Sequence, residues 1–295
     1  MNANAISNSS DYLMKYFSEY SHINNTNHHD FKGSIERQHL PSEFLKNSRD
    51  IDVYLPPSYN KNPDKSYPVI YMNDGNNLFY PEQSFAGVHW AVDSTIENLS
   101  HRGLIDEVIV VGIHNTMQRS YEYTWQEMKF RTKAHGGGGT LYARFILEEL
   151  KPHIDSKYRT LKDRDNTAII GSSLGGLISL YLGINHPEAF SKLGVISPSL
   201  WWNNGSAIKD SDKLRSDMKI WLDMGVNEGK CNCGKCAPQK EDYHLSNLRA
   251  LKDSLHQKGF KEGVNLGYYE DEHGSHNESS WARRLHLPLR FFFGK

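Results

Sequence analysis

Three apolar runs restrict the fold of this chain more than any other feature: Val69-Ile70-Tyr71-Met72, residues 108–113, and Thr167-Ala168-Ile169-Ile170. Each is continuous rather than alternating. That is the pattern of strands buried on both faces, which occur in parallel sheets covered by helices. Between them, Phe145, Ile146, Leu150 and Ile154 recur at helical spacing, and the patterns over 177–186 and 245–258 also predict helices. Further strands are expected at 51–55, stopped by Pro56-Pro57, and at 195–196, 219–222 and 264–269. The expected fold is therefore α/β, a mostly parallel central sheet with helices on both faces. No linker interrupts the periodic segments, so residues 31–295 read as one domain behind a flexible polar arm at 1–30. Gly136-Gly137-Gly138-Gly139 and the aromatic residues before it, over 123–139, suggest a flexible cover for a pocket.

Charge excludes some function classes. With 34 Lys+Arg against 35 Asp+Glu, the net charge of −1 gives no field to hold nucleic acid or an anionic membrane. A small-molecule substrate is the expectation. The first residues lack the basic, apolar, small-residue order of a secretory signal, and the apolar runs fall well short of the roughly 20 residues needed to span a bilayer. Cys231, Cys233 and Cys236, odd in number and crowded into six residues, do not form a disulfide framework. A cytoplasmic location fits. With His244 these cysteines have a spacing that would close a structural zinc site, but reduced thiols, or one disulfide plus a spare, explain them without a metal.

Chemistry concentrates where the strand at 167–170 meets the following helix, at Gly171-Ser172-Ser173-Leu174-Gly175-Gly176-Leu177. This Gly-x-Ser-x-Gly arrangement is a nucleophile elbow, whose small neighbours let backbones pass closely while Ser173 projects above the sheet. The Leu174 amide, at the start of a helix, is placed to donate to an oxyanion. A serine hydroxyl needs a base, and two histidines follow the last strand: His276, favoured because it lies nearer the next helix, and His273, beside a Glu-Asp-Glu run typical of a solvated turn. The acid that orients the base is expected on the loop 225–229. Glu228 is the first choice, Asp223 the second and Asp271 the third. A second oxyanion donor is expected from the Asn76 amide, on a turn freed by Gly75 and braced by Asp74. Trp201 and Trp202 would offer a flat face to an aromatic acyl group or sugar ring, or simply pack in the core. Arg119 would either shape the pocket or pair with Glu122.

Several of these stretches together resemble a family. Asp74-Gly75-Asn76-Asn77-Leu78-Phe79, Tyr158-Arg159-Thr160, the elbow, Ser197-Pro198-Ser199-Leu200-Trp201-Trp202, and His276-Asn277-Glu278 with Trp281 are similar to the "putative esterase" family of α/β-hydrolases. That group includes esterase D, feruloyl and acetyl-xylan esterases, siderophore trilactone esterases and mycolyltransferases. The resemblance runs in order from about residue 49 to residue 293. It implies an α/β-hydrolase fold and a cofactor-free Ser-His-acid enzyme, with Ser173 as nucleophile, His276 as base, and the Leu174 and Asn76 amides as the oxyanion hole. It also favours the position of Glu228, and it relates Arg119 to a motif of close relatives. Two departures stand out: relatives commonly have Gln at the position of Asn76, and the cysteine insertion at 231–236 is not a family feature.

The function expected is hydrolysis of a small aryl or carbohydrate ester through an acyl-enzyme, with a siderophore trilactone as the alternative substrate. Acyl transfer, a zinc-dependent hydrolase built on the cysteines and His244, and a binding module on an inactive scaffold are the other readings.

Overall fold

The computed structural model describes residues 32–130, 132–229 and 243–295. The arm at 1–30 and the three cysteines fall outside the described residues. Ten strands are present: β1 Ser34–Ser42, β2 Asn47–Leu55, β3 Val69–Asn73, β4 Ile109–Ile113, β5 Glu127–Phe130, β6 Lys133–Gly136, β7 Thr167–Ser172, β8 Lys192–Ile196, β9 Lys219–Gly225 and β10 Leu266–Asp271. Eight form one sheet in the order β1-β2-β4-β3-β7-β8-β9-β10. From β4 to β10 every pairing is parallel, while β1 and β2 join antiparallel at one edge.

The helices are α1 Val92–His101, α2 Arg119–Glu122, α3 Gly139–Arg144, α4 Lys151–Lys157, α5 Leu174–Asn185, α6 Ser206–Asp210, α7 Tyr243–Gln257, α8 Glu278–Arg284 and α9 His286–Phe293. They cover both faces. Because successive strand side chains point to opposite sides, Ile109, Val111 and Ile169 enter one core with α3, α5 and α7, while Val110, Ala168 and Ile170 enter a second with α1, α8 and α9. Both faces of β3, β4 and β7 are thus dry, which is why their sequences show no alternation. No helix among the described residues is long and apolar enough to cross a membrane.

The central strands and the three expected helices stand within a few residues of their predicted places. Among the elements that were not expected, three matter most. Strand β1 reads Ser-Ile-Glu-Arg-Gln-His-Leu-Pro-Ser, a polar edge whose place is set by its register against β2 rather than by its own composition. Helix α1 buries Val92, Ile96 and Leu99 in the second core. A paired hairpin, β5–β6, occupies the region where a glycine-rich cover was expected. The helical pattern at 145–154 is also split, since residues Phe145–Leu150 form a π-turn between α3 and α4.

Candidate active site

In a parallel sheet all the strand carboxyl ends emerge on one edge, so the loops after β3, β7, β8, β9 and β10 meet there. Ser173 follows β7 directly and opens α5, with φ 58° and ψ −123°, a conformation costly for a residue with a side chain. The turn closes so tightly that a Cβ on Gly171 would lie 2.4 Å from the Gly175 carbonyl oxygen. Only glycine fits there. Main-chain bonds complete the frame: the Ser173 amide donates to the Ile196 carbonyl and the Ser199 amide to the Ser173 carbonyl.

His276 lies on the loop between β10 and α8. Its Nε2 stands 2.9 Å from Ser173 Oγ and its Nδ1 2.8 Å from Glu228 Oε2. A carboxylate at Nδ1 selects the tautomer with its proton there, leaving the Nε2 lone pair facing the serine hydroxyl. The ring packs edge-on against Trp281, with centroids 5.0 Å apart and planes at 84°. Glu228 is reached from the loop after β9, and this loop touches the His276 loop backbone to backbone: a Cβ on Gly225 would lie 2.3 Å from Gly274. The Asn227 amide donates to the Gly274 carbonyl, and the Val226 amide to that of Asp271.

The side chain of Glu228 is 2% exposed. Burial alone would raise its carboxyl, but His276, the Ser197 hydroxyl and the Gly225 amide outweigh burial and hold it below the ordinary carboxylate range. Its Oε1 accepts from Ser197 Oγ at 2.5 Å and from the Gly225 amide at 2.7 Å, with Arg284 Nη2 at 3.4 Å.

The other two acids considered from the sequence are engaged elsewhere. Asp223 is fully buried, accepting from Arg284 Nε at 2.8 Å and Trp221 Nε1 at 2.7 Å. Asp271 accepts from Arg283 Nη2 at 2.6 Å and from the His273 amide. His273 is exposed on a turn.

Leu174 is the first residue of α5, and Asn76 lies on the 3-10 turn Gly75–Asn77 after β3. Asp74 sits before that turn in the left-handed region, at φ 57°. Its carboxylate accepts from Arg119 Nε at 2.6 Å, Arg119 Nη2 at 2.8 Å and Asn115 Nδ2 at 2.6 Å. Arg119 does not pair with Glu122, because Glu122 faces inward to the buried Arg49 guanidinium at 2.7 and 2.9 Å. A sequence separation of three on a single helical turn suggested a pair that the long-range partners override.

Two cavities flank Ser173 and His276. One, of about 560 Å³, has Asn76, Asn77, Asn115, Arg119, Glu278 and the exposed Phe85 on its walls. Burial beside Asp74 lifts the Glu278 carboxyl above its ordinary value. The other, of about 470 Å³, is walled by Pro198, Ser199, Trp201, Met224 and His244. Trp201 therefore faces the site, but Trp202 turns into the core, where its indole N–H donates to the Gln126 carbonyl before β5. Among the described residues no group of three or more His, Cys, Asp or Glu is disposed to hold a metal. The zinc expectation involves Cys231, Cys233 and Cys236, outside the described residues, and only its His244 can be located.

Sequence reasoning assigned no part to Ser197, Ser199, Asn115, Glu278 or Arg284. Ser197, Ser199 and Glu278 stand inside stretches that resemble the family, so a signal existed. Arg284 offered little: it stands beside a second arginine, Arg283, and its partners Asp223, Ser197 and Glu228 lie 61, 87 and 56 residues away.

Comparison with known proteins agrees with this architecture. Residues 42–292 match the family described as "Putative esterase". The chain belongs to that family. It is 26% identical over 268 residues to the uncharacterized protein YbbA of Bacillus subtilis (strain 168), spanning 90% of this chain and 98% of YbbA. It is 27% identical over 224 residues to the ferri-bacillibactin esterase BesA of the same organism, spanning 72% and 73%. Among solved structures, the BES protein from Bacillus cereus superposes with a TM-score of 0.70 at 24% identity, covering 88% of this esterase-family chain and 95% of that protein. The last comparison supports the fold, with its mostly parallel sheet of the α/β-hydrolase type.

Proposed function

We propose that this chain hydrolyses carboxylic esters through a covalent acyl-enzyme, with Ser173 as nucleophile, His276 as general base and acid, and Glu228 as the orienting carboxylate. The observation that carries the reading is the unbroken line of 2.9 and 2.8 Å contacts from Ser173 Oγ through His276 to Glu228 Oε2. As Ser173 Oγ attacks the ester carbonyl, its proton passes to His276 Nε2, and the imidazolium so formed faces the carboxylate of Glu228. Negative charge gathers on the former carbonyl oxygen. The Leu174 amide, at the positive end of α5, and the Asn76 amide stabilise it; one such donor is worth about 10²- to 10³-fold in rate. Collapse of the tetrahedral intermediate expels the alcohol, which takes its proton from His276. Water, activated by the same imidazole, then releases the acid and restores the serine.

Small aryl or carbohydrate esters fit the cavities best, because amide and charged side chains on one wall suit hydroxyl groups while Trp201 offers an aromatic face on the other. The relationship to BesA favours a second reading, a siderophore trilactone, within the same chemistry. Ser173→Ala is expected to lower hydrolysis of p-nitrophenyl acetate by at least about 10³-fold with an unchanged thermal midpoint. Retained turnover would assign the reaction to another residue. Side-by-side rates on short acyl esters, feruloyl sugars and a catechol trilactone separate the two substrate readings.

A further inference from the structure

Ser197, the residue after β8, is fully buried and holds φ at 42°, a left-handed backbone angle unfavourable for any residue but glycine. Its amide donates to the Asp223 carbonyl at 2.7 Å, which fixes this conformation. The side chain it projects is surrounded by partners of only one kind on two sides. Trp281 Nε1 donates to Ser197 Oγ at 2.9 Å and Arg284 Nη2 donates to it at 2.6 Å. Neither an indole nor a guanidinium N–H can accept a hydrogen bond. The hydroxyl oxygen has two lone pairs and one proton, so these donors occupy both lone pairs. Its proton is left to point at Glu228 Oε1, 2.5 Å away.

We propose that Ser197 is a positioning residue for the acid: its hydroxyl, its direction forced by Trp281 and Arg284, locks Glu228 so that Oε2 alone is presented to His276. The inference rests on the reading of Ser173, His276 and Glu228 as the catalytic set. The contacts close on themselves. Trp281, which donates to Ser197, is also the ring against which His276 stands edge-on, and His276 returns to Glu228. Base and acid are therefore aligned from one buried point. Oε1 is filled by Ser197 and the Gly225 amide, so rotation of the carboxylate would break two bonds before it could turn away from the imidazole. The left-handed backbone at 197 is what brings a hydroxyl, rather than a strand side chain, to that point.

A double-mutant cycle tests this, because a residue acting through Glu228 has nothing to act on once Glu228 is gone. Ser197→Gly is the informative variant, since glycine adopts the backbone angle without strain and loses only the small CH2OH group. It is expected to lower kcat on p-nitrophenyl acetate by about 10- to 30-fold, with KM within about twofold. In the Glu228→Ala background the same change is expected to alter kcat by less than about twofold, and phosphonate labelling of Ser173 should follow the same pattern. Native kcat in Ser197→Gly would overturn the proposal, as would an equal loss in both backgrounds, the sign of a purely structural role. Should glycine fail to fold, Ser197→Ala carries the same cycle. Native kcat in Glu228→Ala would instead refute the assignment of the acid, a failure distinct from that of Ser197.

Discussion

Ser173 and His276 face each other across 2.9 Å, yet the protein holds them by different means. Around Ser173 the material is backbone: glycines, helix start, strand end and main-chain hydrogen bonds, with almost every residue of α5 buried. Around His276, whose side chain is 41% exposed, the fixed points are charges and hydrogen-bonding side chains below it, with Arg284 lying against Asp223, Glu228 and Asp271. Steric packing changes little with pH, whereas an ionic cluster depends on the protonation of its members and on every charge being balanced. Projecting the Ser173 hydroxyl from a tight turn therefore demands shape, and keeping the His276 ring oriented demands electrostatics.

The contrast is sharpest in the loss of single residues. Arg284→Met removes the cation shared by three buried carboxylates and is expected to cost about 3–5 kcal/mol in urea unfolding, more than its apolar volume returns. A neutral result would mean that packing, not charge, holds this half. Gly171→Ala places a methyl group against the Gly175 backbone, and should cost about 3 kcal/mol and reduce kcat by more than about 100-fold in the folded fraction. Native activity there would remove the steric account of the elbow.

The third expectation concerns pH. His286, two residues beyond Arg284, is buried, and burial depresses it to about 4 from an ordinary 6.5. The unfolded chain thus takes the proton first. The stability is fully present above pH 6.5 and is lost as pH falls from 6.5 to about 4, by about 3 kcal/mol at about 1.4 kcal/mol per pH unit. His286→Gln should flatten that decline in thermal scans from pH 7 to 4; an unchanged slope would locate the titration elsewhere. The smallest effect is expected at the loop that Asp74 opens. Arg119→Lys exchanges a two-pronged contact with Asp74 for a single point charge, and should lower kcat/KM about tenfold with little change in stability. No change in kcat/KM would detach Asp74 bracing from catalysis.

Much of the steric half is legible in the sequence, because its signals are local. Continuous apolar runs announce β3, β4 and β7, and Gly171, Gly175 and Gly176 around Ser173 announce the turn. The electrostatic half is not local. Glu228 stands out as an acid on a loop, but its support comes from Ser197 and Arg284, 31 and 56 residues away. Arg119 and Glu122 show the same limit from the other side: neighbours on one helical turn, they pair with Asp74 and Arg49, 45 and 73 residues distant. Strand β1 escapes notice for a related reason, since an edge strand with polar side chains takes its place from the register of its partner.

The hairpin β5–β6 belongs to a separate two-stranded sheet, and the bond from Trp202 to the Gln126 carbonyl ties its base to the body next to the segment that carries Trp201. None of its rungs is shared with the eight-stranded sheet. Residues added to or trimmed from its tip would consequently leave the strand order, the elbow and the buried ions where they are. That makes it a natural splice point for redesign, where the rim near Trp201 is recut while Ser173, His276 and Glu228 keep their alignment.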